Sequence, residues 1–176
     1  MFRCFYPKEW IDSTYSIDFK KYYDCGYRCV LFDIDNTLVC HGAPANEQSI
    51  KLIKGLMEMG FSVMFISNNK EPRVKSFNDC IGADYIYKAG KPNPSGYLKG
   101  MEKAGGTAET TLFVGDQLFT DILGANRAGI YSILVKPIDK HEEIQIVLKR
   151  RLEWIVLTAY KHHLKTEAKN AQITGN

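Results

Sequence analysis

The sequence predicts a single α/β domain built on a doubly wound, mainly parallel sheet with helices on both faces. The first observation is a series of short apolar runs, of the kind found in strands that are covered on both sides. The second is the alternation of these runs with helix-like segments. The third is size and composition, since 176 residues with 45% hydrophobic and 24% charged side chains suit one globular domain.

Each apolar run and each intervening segment is assigned in chain order. Strands are predicted at residues 29–32, 62–66, 85–87, 111–114 and 131–135. Helices are predicted at residues 46–59, 72–79, 94–104, 121–128 and about 142–163. The first helix, for example, begins with Asn46, a good N-cap, and ends at Gly60. The domain is expected to span residues 1–165, and the polar residues 166–176 are expected to form a flexible tail.

The composition limits the partners and the compartment of the protein. A formal net charge of +3 is too small to indicate nucleic-acid binding, so no nucleic acid is expected as a partner. Five cysteines without a C-x-x-C pair favour reduced thiols, although Cys25, Cys29 and Cys40 leave a zinc site open as an alternative. No secretory or membrane-spanning segment is predicted, and a cytoplasmic location is expected.

Two carboxylates follow directly after the first predicted strand. Asp33 and Asp35 are two residues apart, at the end where open α/β sheets bind ligands. Carboxylates this close repel each other, which favours protonation of one of them or a cation between them. Mg²⁺ is the natural cation, because it prefers oxygen ligands and is often shared with a substrate phosphate. The sequence therefore predicts a magnesium site here.

Polar groups also follow the other strands that precede helices. Asp116 emerges where a later strand ends, and Asp121 lies five residues on, where it also fits an ordinary acid at a helix N-terminus. Ser67 and Asn68 offer donors to phosphoryl oxygens, and Lys91 is suited to neutralise a transferring phosphoryl group. Taken singly, these last residues also fit a turn and a surface charge. Their order along successive strand ends favours one shared phosphate site.

This combination resembles the four motifs of the haloacid dehalogenase-like (HAD) superfamily. The sequence is similar in particular to the YqeG-type HAD phosphatases and to the related mitochondrial phosphatidylglycerophosphate phosphatases. The resemblance covers about residues 1–155, with no motif position missing. The segments that carry it are residues 32–38 (FDIDNTL), 67–69 (SNN), 91–92 (KP), 115–122 (GDQLFTDI) and 124–129 (GANRAG).

The resemblance implies a phosphatase that depends on Mg²⁺ and forms an aspartyl-phosphate. Asp33 is then the nucleophile that attacks phosphorus. Asp35 is the acid that protonates the leaving group and then the base that activates water. The metal ligands implied are the Asp33 carboxylate, the Asp35 backbone carbonyl and Asp116. Because a dehalogenase has no alkoxide to protonate, the second aspartate favours phosphoryl transfer.

The remaining motif residues are implied to bind or support the phosphoryl group. Ser67, Asn68 and Lys91 are expected to contact its oxygens. Asp121 is expected to support the metal or to orient Lys91. The implied substrate is phosphorylated, and phosphatidylglycerophosphate is one candidate.

The spacing between the motifs leaves no room for a cap domain, so the site is expected to be open. An open site suits a lipid head group at a membrane, or a homo-oligomer whose second subunit supplies a lid. The last predicted helix carries an apolar stripe and basic residues, which fit peripheral contact with the inner face of a membrane and also fit packing on the sheet. The stripe consists of Ile144, Val147, Leu148, Leu152, Ile155, Val156 and Ala159.

Three other functions stay open alongside a lipid phosphatase. One is a soluble phosphatase that acts on a small phosphorylated metabolite. Another is a non-catalytic interaction module, which the clustered acids at positions 33, 35 and 116 oppose, because a scaffold gains nothing from them. The third is a receiver domain, to which the order of the motifs fits poorly.

Overall fold

The computed structural model describes residues 3–139 and 144–174, and within the second range it describes the side chains of 152–168. The sheet has six parallel strands in the order β1-β6-β5-β2-β3-β4. The chain builds outward from β2 in both directions, which confirms the predicted doubly wound fold. The strands are β1 (Glu9–Ile11), β2 (Cys29–Phe32), β3 (Ser62–Ile66), β4 (Asp84–Ile86), β5 (Thr111–Gly115) and β6 (Tyr131–Val135).

Helices cover both faces of this sheet. Side chains alternate along a strand, so Val30 and Phe32 of β2 face one core while Leu31 faces the other. Helices α1, α2 and α3 pack on the first face, and α4 and α5 pack on the second. The helices are α1 (Phe19–Asp24), α2 (Glu47–Met59), α3 (Glu71–Asn78), α4 (Pro94–Lys103), α5 (Leu123–Arg127) and α6 (Ile144–Thr174).

The sequence prediction missed two short elements and misjudged a third. Strand β1 is three residues long and pairs only with β6 at the sheet edge, and α1 has six residues, so neither offers a long periodic signal. The helix predicted over 121–128 is instead a π-helical turn, Leu118–Ile122, that leads directly into α5. This difference matters because the turn contains Asp121.

Helix α6 is longer than predicted, and its predicted apolar stripe is only partly buried among the described side chains. It continues to Thr174, so residues 166–174 are helical, and the flexibility expected there stays a prediction. Val156 of the predicted stripe is buried against the domain, as is Tyr160, whereas Leu152 and Ile155 of the same stripe are each 53% exposed. The side chains of 144–151 lie outside the described residues. Among the described helices, none is both long and apolar enough to cross a membrane.

Within the described residues, the connections after β2 and β3 contain no inserted domain. Between β2 and α2 lies a loop, and between β3 and α3 lie only residues 67–70. Because all six strands are parallel, their carboxyl ends meet at one edge of the sheet, and both connections leave from it. That edge is therefore not covered by an inserted domain.

Candidate active site

The predicted site residues are held at the carboxyl edge by main-chain hydrogen bonds. Asp33, Ser67 and Asp116 come directly after the last residues of β2, β3 and β5, respectively. The Asp33 N–H donates to the Val114 carbonyl at 2.9 Å, and the Ser67 N–H donates to the Ile86 carbonyl at 2.9 Å. These two bonds continue the pairing of β2 with β5 and of β3 with β4 by one residue. They therefore fix the direction of the chain at Asp33 and Ser67.

Lys91 joins two of the predicted acids. Its Nζ lies 2.5 Å from Asp33 Oδ1 and 2.8 Å from Asp121 Oδ1, and its side chain is 4% exposed. The loop that carries Lys91 is held by Asn68, whose side chain accepts from the Lys91 N–H at 2.8 Å and donates to the Lys91 carbonyl at 3.1 Å. The amide of Asn68 therefore positions the lysine.

Three buried carboxylates form a cluster that fits a metal ion. One ligand oxygen from each of Asp33, Asp116 and Asp121 lies within 4.8 Å of the others. The Thr37 hydroxyl lies between two of these acids, 3.2 Å from Asp33 Oδ2 and 3.3 Å from Asp116 Oδ1. Oxygen donors in this number suit a hard divalent cation. No cysteine belongs to this cluster, and of the cysteines considered for zinc, Cys29 is buried while Cys25 and Cys40 are exposed.

Asp121 is held by the loop that follows β5. Its Oδ2 accepts from the N–H groups of Asp116 and Gln117 at 3.1 and 3.0 Å. A side chain at position 115 would place its Cβ 2.6 Å from Asp121, so only glycine lets this carboxylate approach. The glycine before Asp116 therefore serves close packing of Asp121 against the strand end.

Asp35 faces a different set of partners. Its Oδ1 accepts from the Gly42 N–H at 2.7 Å and from Arg73 Nη2 at 2.8 Å, and its Oδ2 accepts from Asn69 Nδ2 at 2.6 Å. The side chain of Asp35 thus points away from the three-carboxylate cluster. His41 lies 4.0 Å from the same Oδ1.

The pKa values of Asp33 and Lys91 both lie above their ordinary values, for different reasons. Burial is the largest influence on Asp33 and raises its pKa to about 7, with Lys91 acting in the opposite direction and Asp121 adding to the rise. For Lys91, burial lowers the pKa, but the carboxylates of Asp121 and Asp33 outweigh it, and the pKa lies above its ordinary value. The ammonium group therefore stays charged across the physiological range, which suits a group that binds phosphoryl oxygens.

A pocket of about 140 Å³ opens onto this arrangement. Five of the predicted site residues line it, namely Asp33, Asp35, Ser67, Asn68 and Lys91. Asp116 and Asp121 are not among the residues that line it. The remaining lining residues were not predicted as site residues, and they are Asn36, His41, Asn69, Gln117 and Thr120.

Two contacts of the site were missed by the sequence prediction. Arg73 carries no motif signal, because it lies on α3 and reaches Asp35 only through the fold. Thr37 lies in the first motif, but the sequence prediction gave it no role. Its hydroxyl, four residues after Asp33, was the feature that could have indicated a contact with that carboxylate.

Comparison with known proteins identifies the family. The HAD-hydrolase-like family model matches residues 88–145. Over 166 residues the chain is 33% identical to "Probable phosphatase YqeG" of Bacillus subtilis, which covers 93% of this chain and 96% of that protein. The chain belongs to the HAD-like hydrolases. This HAD-type phosphatase is also 32% identical to phosphatidylglycerophosphate phosphatase 1, chloroplastic/mitochondrial, of Arabidopsis thaliana, over 75% of this chain and 41% of that one.

Solved structures of low sequence identity share the fold of this HAD phosphatase. NagD from Escherichia coli superposes with a TM-score of 0.53 at 15% identity, covering 62% of this chain and 87% of that one. The cobalt-bound deoxy-D-mannose-octulosonate 8-phosphate phosphatase from Haemophilus influenzae gives 0.52 at 16% identity, covering 77% and 90%. At these identities the likeness concerns the fold alone.

Proposed function

We propose that this HAD phosphatase is a Mg²⁺-dependent phosphomonoester hydrolase that works through an aspartyl-phosphate on Asp33. The observation that carries the proposal is a buried carboxylate, Asp33, that lines the pocket together with its lysine partner and clusters with two further acids, Asp116 and Asp121. A phosphatase needs a positioned nucleophile and groups that counter phosphoryl charge. This arrangement supplies both.

In the first half-reaction, an oxygen of Asp33 attacks phosphorus and the bond to the leaving oxygen breaks. Lys91 already lies against Asp33, so a phosphoryl group placed there meets its ammonium charge. Ser67 lines the same pocket and adds a hydroxyl donor. Asn68 contributes through its hold on the Lys91 main chain, a role that complements the predicted contact with phosphate.

Asp35 is the proposed acid and base. It protonates the leaving oxygen, then takes a proton from the water that hydrolyses the aspartyl-phosphate. Arg73, Asn69 and the Gly42 N–H hold its carboxylate at the wall of the pocket, which keeps it separate from the nucleophile. This separation lets two aspartates that are close in sequence perform different tasks.

The proposed metal ligands are the Asp33 carboxylate, Asp116 and the backbone carbonyl of Asp35. Both oxygens of Asp121 accept hydrogen bonds, which supports its role as a positioning acid for Lys91 and for the metal loop, residues 116–122. Within the set Asp33, Asp116, Asp121 and Lys91, carboxylates outnumber ammonium groups three to one, so a divalent cation suits the site. Mg²⁺ supplies charge neutralisation and orientation of the phosphoryl oxygens when bound.

Magnesium is expected to stabilise the folded protein against heat. A ligand at about 100 times its Kd adds about 2.7 kcal/mol if it binds only the folded state. For a domain of this size, that corresponds to a rise in Tm of roughly 5–10 °C. Scanning fluorimetry with Mg²⁺ and with EDTA measures the shift. Asp116→Asn should lose most of it, whereas Asp84→Asn, at an exposed position, should keep it. An equal shift in Asp116→Asn would contradict the assigned ligand.

The proposed substrate is phosphatidylglycerophosphate, which loses its terminal phosphate to give phosphatidylglycerol. The similarity to the Arabidopsis phosphatase of that name supports this choice, and the uncapped edge of the sheet leaves space for a lipid head group. A lipid substrate also requires work at a membrane surface, so peripheral contact from the cytoplasmic side is part of the proposal. Flotation with anionic vesicles tests that contact.

A substrate panel separates the lipid from a soluble metabolite. With Mg²⁺ present, kcat/KM for phosphatidylglycerophosphate in mixed micelles is expected to exceed that for sugar and nucleotide phosphates by roughly 10-fold or more. p-Nitrophenyl phosphate serves as the reference for basal chemistry. If a soluble phosphate is hydrolysed best, the metabolite phosphatase replaces the lipid phosphatase, while the proposed chemistry at Asp33 stands.

A further inference from the structure

The turn that carries Asp121 is held by a side chain from the last helix. Glu153 of α6 is 5% exposed, and its Oε1 accepts a hydrogen bond of 2.7 Å from the Leu118 N–H. Leu118 begins the turn Leu118–Ile122, and the first N–H groups of such a turn have no partner within it. A buried acceptor at this place therefore fixes the start of the turn.

The same turn is connected to Asp116 and Asp121. Leu118 lies between Gln117 and Asp121 in the chain, and the N–H groups of Asp116 and Gln117 donate to Asp121 Oδ2. Asp121 in turn accepts from Lys91 Nζ at 2.8 Å. A shift of Leu118 is therefore transmitted to the Asp121 carboxylate, and through its hydrogen bond to Asp116.

Helix α6 contacts this loop outside the substrate pocket, since none of its described residues lines that pocket. Val156 packs with Leu118 and Ile122 in one apolar cluster. Glu153 and Asp116 line a common cavity of about 220 Å³. Glu153 is thus near the metal loop without lining the 140 Å³ pocket where the substrate is proposed to bind. Its hydrogen bond to Leu118 connects it to the proposed site through the loop.

We propose that Glu153 is a positioning residue for the cation site, and that helix α6 thereby sets the affinity of the site for its divalent cation. This inference rests on the proposed function, because it requires that Asp33, Asp116 and Asp121 form a cation site. The hydrogen bond to Leu118 is the element that transmits the effect. Groups that orient metal ligands typically change metal affinity by roughly 10- to 100-fold when removed.

Two replacements at one position separate the hydrogen bond from packing. Glu153→Gln keeps an oxygen acceptor, and Glu153→Met fills similar space without one. Gln and Met have similar helix propensities, so α6 is affected equally. The Kd for Mg²⁺, measured by calorimetry, is expected to stay within about 3-fold of wild type for Glu153→Gln and to rise about 10-fold or more for Glu153→Met. Glu167→Gln, exposed on the same helix, is the control and should match wild type.

Two further readouts distinguish positioning from a general loss of stability. The Mg²⁺ concentration for half-maximal phosphate release should rise in Glu153→Met in step with Kd, while kcat at saturating Mg²⁺ falls less. Hydrogen exchange of the Leu118 amide in the wild-type protein should be slow, and it should accelerate in Glu153→Met while the amides of β2 and β5 stay protected. This exchange measurement on the wild type needs no variant to fold.

The possible outcomes distinguish a failure of the Glu153 positioning role from a failure of the proposed cation site. Wild-type affinity for Mg²⁺ in both the Gln and the Met variant would overturn the positioning role. Fast exchange of the Leu118 amide in the wild-type protein would also overturn it. Equal weakening in both variants would also overturn it, because the charge and not the hydrogen bond would then carry the effect. A wild-type protein that neither binds Mg²⁺ nor needs it for phosphate release would overturn the proposed cation site as well.

Discussion

Asp33→Asn is expected to reduce phosphate release by a factor on the order of 10⁴ or more, since removing an enzyme's nucleophile removes the covalent pathway. The amide keeps the shape of the side chain and its place beside Lys91, but it is a poor nucleophile and forms no stable phosphoryl intermediate. Initial rates with p-nitrophenyl phosphate and the preferred substrate measure the loss. KM is expected to change much less than kcat, because the phosphate contacts of Lys91 and Ser67 are retained.

The control for this variant is Asp84→Asn, which makes the same chemical change at an aspartate whose side chain is 58% exposed. It should retain full activity. Beryllium fluoride provides an independent readout, since it should bind the Asp33 carboxylate of the wild type and give a ¹⁹F resonance that Asp33→Asn lacks. Retention of a tenth of the wild-type rate by Asp33→Asn would place the nucleophile elsewhere.

Lys91→Met is expected to lower the free energy of unfolding of the metal-free protein by about 3–5 kcal/mol, because it leaves two buried carboxylates without their cation. Asp33 and Asp121 have side chains 9% and 1% exposed, so water screens them poorly. Urea unfolding at pH 8 with EDTA measures the loss. Lys103→Met, which removes a lysine from an exposed pair with Asp84, should cost less than about 1 kcal/mol.

The deficit of Lys91→Met should also depend on pH, with a definite sign. Burial already raises the pKa of Asp33 to about 7, which is above its value in the unfolded chain, so ionisation of this group opposes folding as the pH rises. Lys91 counteracts that rise, and its loss raises the pKa of Asp33 further. The stability difference between variant and wild type should therefore be larger at pH 8 than at pH 6. A difference that shrinks toward pH 8 would contradict this charge balance.

The strand ends were predictable because their signals are local in the sequence. An apolar run followed at once by Asp33, Ser67 or Asp116 specifies both a buried strand and a polar group at its end. Parallel pairing then brings these ends to one edge, which is a general property of such sheets. The fold class and the membership of half of the pocket residues could be predicted in this way.

The contacts between the site residues were less predictable. The contact of Asn68 with phosphate stays a prediction, whereas its two hydrogen bonds to the main chain of Lys91, 23 residues away, were not predicted. An amide in a sequence shows capacity for hydrogen bonds but not which partner will use it. The same limit applies to helix α6, where the apolar pattern suggested a packing face that includes Leu152 and Ile155, both half exposed.

By itself, the sequence determined the parallel α/β sheet, the lack of a cap and the acids and lysine at the strand ends, since each depends on short-range pattern and spacing. Only the tertiary structure decided that Arg73 and Asn69 hold Asp35, and that Glu153 holds the turn that contains Asp121. These bonds join residues 38, 34 and 35 positions apart. Burial converts such long-range neighbours into strong electrostatic partners, because water no longer competes for them.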